Sequence, residues 1–187
     1  MNIAIYGGAF DPIHFGHTNV AKAIVDTRLA DEVIFVPAFN HCFGKSMAPY
    51  WMRVEFVAHA IEQQKGYNFS ISYAEQLNLS GSTYEMVSIL KSKRKANYSV
   101  VIGADNVNSI VNWRNYKSLV KENNFIIVDR EKTLDNVDLK LIPNAKLCRV
   151  ETGCVSSSKI KEAIKNKQDI SGLVCGGLEK QMKELYE

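Results

Sequence analysis

The chain is poor in cysteine: four in 187 residues, at positions 42, 148, 154 and 175. No two of them have Cys-x-x-Cys spacing, so neither a disulfide framework nor a cysteine zinc knuckle is written into the sequence. No signal-peptide pattern stands before the first apolar stretch, and the four residues read as reduced thiols in the cytoplasm. A run of 18 apolar residues is also missing, which leaves no candidate for a membrane-spanning helix. Charge of one sign is lacking too. Twenty-three basic against 20 acidic residues give +3, too mild a balance to indicate nucleic-acid binding. The local cluster Lys91, Lys93, Arg94 and Lys95 suits the end of a helix, where cations meet the negative pole of the dipole. Repeats, low-complexity segments and dividing linkers are absent. The chain therefore reads as one domain, 1–187, long enough for a full core.

What is present is concentrated in the first seventeen residues. Ile3-Ala4-Ile5-Tyr6 is a short apolar run of the kind that makes a buried parallel strand. Val20, Ala23, Ile24 and Thr27 recur at helical spacing. Between them stands Gly7-Gly8-Ala9-Phe10-Asp11-Pro12-Ile13-His14-Phe15-Gly16-His17. Strand, glycine turn and helix in that order aim the turn's backbone N–H groups at one spot that suits a phosphate. Gly7 and Gly8 are expected to take conformations that a Cβ would forbid. His14 and His17 add side-chain donors at the helix start. A zinc site from His14, His17, His41 and Cys42 is the competing reading, without the spacing that makes such sites persuasive.

Further along, Glu32–Pro37 reads as a second buried strand, completing a βαβ unit. A loop, Ala38 to Ala48, carries His41, Gly44 and Lys45. Pro49 opens a helix with Val54, Val57, Ala58 and Ile61 on one face. Tyr67 to Tyr73 alternates as a third strand. Ser82 is placed to cap a helix that turns Met86, Ile89 and Leu90 inward. Tyr98–Ile102 is a fourth strand running into Gly103-Ala104-Asp105, with Trp113 beyond. Phe125–Val128 is a fifth, ending at Asp129-Arg130. Glu131 to Ala145 reads as loop, Lys146–Val150 as a last short strand, and Val155-Ser156-Ser157-Ser158-Lys159-Ile160-Lys161 as a helix start. Leu178, Met182 and Leu185 mark a terminal helix. The fold class is α/β, a Rossmann-like doubly wound parallel sheet of about five to six strands with helices on both faces. In such sheets ligands bind beyond the carboxyl ends of the strands. The first turn, Asp105, Trp113 and Arg130 can therefore converge.

The first motif resembles the signature of the nucleotidylyltransferase superfamily. Gly103-Ala104-Asp105 with Trp113 and Arg130, and the serine run before Lys161, are similar to the nicotinate/nicotinamide mononucleotide adenylyltransferase family, in its bacterial form. The resemblance runs from residue 2 to about residue 165 and implies an enzyme of NAD biosynthesis that joins ATP to a pyridine mononucleotide and releases pyrophosphate. It implies no protein nucleophile, because the mononucleotide phosphate itself attacks the α-phosphorus; catalysis is positioning and charge neutralisation. His14, His17, Lys45 and Ser157 would carry the catalytic roles. ATP would meet Gly8, Ala9, Phe10, His14, His17, Gly103, Asp105, Ser156, Ser157, Ser158 and Lys161. The mononucleotide would meet Lys45, Thr83, Trp113 and Arg130. Mg²⁺ would ride on phosphate oxygens and water rather than in a protein cage. Partners are then small molecules, with no nucleic acid and no membrane; a homo-oligomer is compatible with the pattern.

Bland readings stand beside these. Trp113 could be core, Arg130 could pair with a surface carboxylate, and the serine run could be a helix cap. The sequence also departs from the family. Lys161 stands for the usual arginine, Ser82 and Met86 for tyrosine and threonine, and Cys42-Phe43-Gly44-Lys45 for Pro-Pro-His-Lys. Those changes leave open the choice between nicotinate and nicotinamide, with nicotinate favoured by the whole-chain layout. The rival readings are phosphopantetheine adenylyltransferase and a non-catalytic nucleotide-binding protein. A dehydrogenase is excluded, because Gly-x-Gly-x-x-Gly does not follow the first strand.

Overall fold

The computed structural model describes residues 1–40, 46–78, 80–130, 133–153 and 155–187. Among them, six strands form one parallel sheet: β1 (Asn2–Gly8), β2 (Glu32–Pro37), β3 (Phe69–Ile71), β4 (Asn97–Gly103), β5 (Asn124–Asp129) and β6 (Ala145–Arg149). Their order is β3-β2-β1-β4-β5-β6, and every adjacent pair is parallel. The near-continuous apolar runs in the sequence follow from this, since a parallel sheet is covered on both faces. Ile5 is in register with Ile34 on one side and Val100 on the other.

Among the described residues the α-helices are α1 (Phe15–Asp26), α2 (Tyr50–Glu62), α3 (Thr83–Lys93), α4 (Ala104–Val107), α5 (Tyr116–Glu122), α6 (Ser157–Lys165) and α7 (Glu179–Tyr186). One face of the sheet packs on Val20 and Ile24 of α1, Phe56 and Val57 of α2, Ile160 and Ile164 of α6 and Met182 of α7. The other packs on Met86 and Leu90 of α3, Val107 of α4 and Leu119 of α5. Each such fully buried side chain contributes roughly 1.5–3 kcal/mol. The doubly wound α/β architecture expected from the strand–helix alternation is the one observed.

Several local expectations need correction. The third strand is only Phe69–Ile71, because it is an edge strand that pairs with β2 over Val33–Phe35 alone, and Tyr73 lies exposed beyond it. Of the face expected on α2, Val54 and Val57 are buried but Ala58 is exposed; Tyr50, Arg53, Phe56 and Ala60 complete the buried stripe. The stretch read as loop after β5 contains two short 3₁₀ turns, Thr133–Asn136 and Leu139–Leu141, and sinks Ile142 into the core. Ser82 does cap α3, accepting from the Glu85 N–H at 3.2 Å. Cys148 and Cys175 are free and buried, and burial pushes both thiols up, away from reactivity. Cys42 and Cys154 lie outside the described residues.

Candidate active site

The sheet reverses its winding between β1 and β4, and ligands of such sheets bind at that switch. The loop from Gly8 to His14 lies there. Its glycines do not act as the sequence suggested: Gly7 and Gly8 close strand β1, and the left-handed residue is Phe10, at φ 46°. Phe10 tolerates that conformation because its ring is locked in the core, edge-on to Tyr6 and against Phe35. The Asp11–Pro12 peptide bond is cis. The loop is tied from below by Arg53, 1% exposed, whose guanidinium donates to the carbonyls of Ala9 (2.6 Å), Ala38 (2.7 Å) and Ala48 (2.9 Å). One planar fork thus fastens the first loop to both ends of the second.

His14 is the N-cap of α1, and its ring lies 3.8 Å from that of His17, centroid to centroid. Gly16 makes this possible, since a Cβ there would come within 2.9 Å of the His14 ring. The His14 N–H donates to Nδ1 of His17 at 3.2 Å, which leaves Nε2–H as the donor of His17. Burial, reinforced by the Arg130 charge, brings His14 down to about 4. Burial, then His14 and Arg130, holds His17 well below the usual histidine range. Both rings are therefore neutral at pH 7. Nδ1 of His14 is buried with no hydrogen-bond partner among the described residues, so this helix start has unmet polar capacity beside the backbone N–H groups of its first turn.

Across the switch, Gly103 closes β4 and Asp105 begins the next helical turn. A Cβ on Gly103 would meet Oδ1 of Asp105 at 2.3 Å and the Arg130 guanidinium at 3.3 Å. The bare glycine lets Arg130 donate to that same oxygen at 3.1 Å. So Arg130 does pair with a carboxylate, and the carboxylate belongs to the motif. Tyr6, Gly8, Phe10, His17, Gly103 and Arg130 are among the walls of a cavity of about 170 Å³ between the two loops.

A larger cleft, about 480 Å³, opens beside it between the first loop and α6, walled by Ala9, Asp11, Met47, Ser157, Ser158, Lys161, Glu162 and Lys165. Ser156 caps α6, accepting from the Lys159 N–H at 3.2 Å. Ser157 Oγ donates to the Pro12 carbonyl at 2.9 Å and so clamps α6 onto the first loop. Asp11 is buried and ionised: burial pushes its carboxyl up, but Lys161, Tyr186 and the Ala48 N–H outweigh it and hold the group below its ordinary value. Lys161 pairs with Oδ2, and Tyr186 donates to Oδ1 at 2.7 Å.

The structure thus gathers Gly8, Phe10, His17, Gly103 and Arg130 around the smaller opening and Ala9, Ser157, Ser158 and Lys161 around the larger; His14, Asp105 and Ser156 stand behind them, against His17, against Arg130 and at the cap of α6. Thr83, at the start of α3, and Trp113, half-buried against the core beyond a 3₁₀ turn, line neither. Lys45, His41 and Cys42 lie outside the described residues. Among the described residues no three His, Cys, Asp or Glu side chains converge on a metal position. Sequence reasoning missed Arg53, Asp11 and Tyr186. Arg53 had one signal, an arginine inside the apolar stripe of a helix; the Asp11–Tyr186 contact had none, because it spans 175 positions.

The family model described as cytidylyltransferase-like matches residues 5–163. A relative described as a probable nicotinate-nucleotide adenylyltransferase, from Hydrogenobaculum sp. (strain Y04AAS1), is 32% identical over 179 residues, covering 93% of this chain and 91% of its own. The chain belongs to the nicotinate-nucleotide adenylyltransferases of the cytidylyltransferase-like family. A relative with the same description from Clostridium botulinum (strain Okra / Type B1) is also 32% identical, over 91% of this chain and 90% of its own. The fold is that of Plasmodium falciparum nicotinic acid mononucleotide adenylyltransferase complexed with NaAD, with TM-score 0.85 and 24% identity over 99% of this chain and 97% of that one. The resemblance first seen in the motifs and the architecture first read from the strand pattern meet in the same enzyme class, the nucleotidyltransferases.

Proposed function

We propose that this enzyme transfers the adenylyl group of ATP to nicotinate mononucleotide, forming the dinucleotide and pyrophosphate. The observation that carries the reading is the pair of neutral histidines at the α1 N-terminus, facing Arg130 across the sheet's switch point. A helix N-terminus with neutral ring donors favours an anion without a positive charge having to be desolvated first.

In the reaction the mononucleotide phosphate oxygen bonds to the α-phosphorus, and the bond to the bridging oxygen of pyrophosphate breaks in line. His17 Nε2–H and His14 meet the triphosphate where negative charge grows. Backbone groups of Gly8, Ala9 and Phe10 line its path. Lys161 supplies a point charge, and Ser157 and Ser158 offer the free N–H groups of the first turn of α6. Ser156 shapes that turn as its cap. Asp105, beside Gly103, accepts from a ribose hydroxyl. Arg130, in the wall of the smaller cavity, serves the mononucleotide together with Lys45; Thr83 and Trp113, which line neither opening, keep only the mononucleotide role that the family resemblance implies. A Mg²⁺ ion carried by phosphate oxygens and water would add charge neutralisation. The loss of the Lys161 fork and of the tyrosine at Ser82 bears on affinity and base preference, and leaves the chemistry intact.

The test is pyrophosphate release with ATP, Mg²⁺ and, in parallel, nicotinate mononucleotide, nicotinamide mononucleotide and phosphopantetheine. Turnover with nicotinate mononucleotide at the highest kcat/KM is expected. Preference for nicotinamide mononucleotide would reassign the base, and turnover with phosphopantetheine alone would reassign the enzyme.

A further inference from the structure

We propose that Tyr186, near the end of α7, is a positioning residue for the nucleotide cleft: acting through Asp11, it fixes the ammonium of Lys161 in the wall of the cleft. The inference rests on the assignment of that cleft to ATP phosphates. Tyr186 touches both members of the pair at once. Its O–H donates to Asp11 Oδ1 at 2.7 Å, and its ring face lies 4.9 Å from the Lys161 ammonium. The Ala48 N–H donates to the same oxygen at 3.2 Å. With Oδ1 held by two donors the carboxylate cannot rotate freely, and Oδ2 is presented to Lys161.

This matters because a lysine is a point charge on a flexible stem, with rotamer freedom to lose on binding. An arginine would bring a rigid fork of its own. Here the fork is replaced by an outside frame, a carboxylate on one side and an aromatic face on the other. The frame is itself anchored: Leu178 and Met182 are buried, and Leu185 packs on the same core. The terminal helix thus reaches the nucleotide site through a single phenol.

Tyr186→Phe removes the O–H and keeps the ring. Its affinity for α,β-methylene-ATP, measured by calorimetry, is expected to fall about threefold to tenfold, the worth of one hydrogen bond. The mononucleotide KM should stay within twofold, on the same reasoning. In a Lys161→Ala background the second change should do nothing further to analogue affinity, because a positioning residue has then lost what it positions. An equal loss in that background, equal shifts for both substrates, or unchanged analogue affinity in the single variant would each overturn the proposal. Failure of the cleft assignment is separable: wild-type protein would then bind no analogue at all.

Discussion

The two openings meet the same problem, an approaching polyanion, with opposite means. At the start of α1 the donors are neutral: two imidazoles in close, tilted contact, kept uncharged by burial and by Arg130, on a turn whose close packing depends on Gly16. At the start of α6 the parts are charged and already paired, the partly exposed Lys161 with the buried Asp11. A neutral donor in a dry setting needs no desolvation of an ion and is fixed in direction; a lysine attracts at longer range and is screened by salt. The first arrangement suits charge that develops at one atom during reaction, and the second suits capture and retention of a ligand that arrives charged.

Breaking the neutral side should cost most. His17→Ala is expected to lower kcat by about 10²–10³, the usual cost of one such donor, with ATP KM little changed; a kcat loss under tenfold would remove His17 from the transition state. Breaking the charged side should cost less and show elsewhere. Lys161→Ala should raise ATP KM about tenfold while kcat holds, and should flatten the rise of KM with ionic strength that screening of this charge predicts for the parent enzyme. If salt dependence survives the substitution, the capturing charge lies elsewhere in the cleft.

The smallest effect sharpens the contrast in stability. His14 goes from 6.5 in the unfolded chain to about 4 in the fold. The unfolded state therefore binds more protons between those values, and stability present above pH 6.5 is lost as pH falls towards 4. His14→Gln should lose less: melting curves between pH 7 and 4.5 should show a Tm decline shallower by a few degrees. Parallel declines would mean that another group carries the acid sensitivity.

These contrasts also show what was readable beforehand. Among the described residues the four inner strands, β1, β2, β4 and β5, announced themselves, because a strand covered on both faces reads as a near-continuous apolar run; the edge strands gave weaker signals, β6 with lysine and arginine in it and β3 overdrawn from three residues. The motif residues were legible as a set, and their two subsites were not. Nothing local indicates that Asp105 and Arg130 form an ion pair, or that Ser157 spends its hydroxyl on Pro12. The positive φ was placed on the wrong residues because glycine is the usual holder of that conformation, whereas at Phe10 the cost is met by burying an aromatic ring. Arg53 drew no reading, because its place in an apolar stripe does not show the three carbonyls that it meets in the fold.

The strand that carries the first motif lies in the middle of the sheet, bonded to β2 on one side and to β4, from residue 97 onward, on the other. Its second neighbour is thus made only after about half of the chain has been passed. Such long-range pairing is slow, since loop closure must precede its reward. The cavity between Gly8 and Gly103 can form only late in folding, and the amides of β1, once enclosed, should be among the slowest in the molecule to exchange with deuterium.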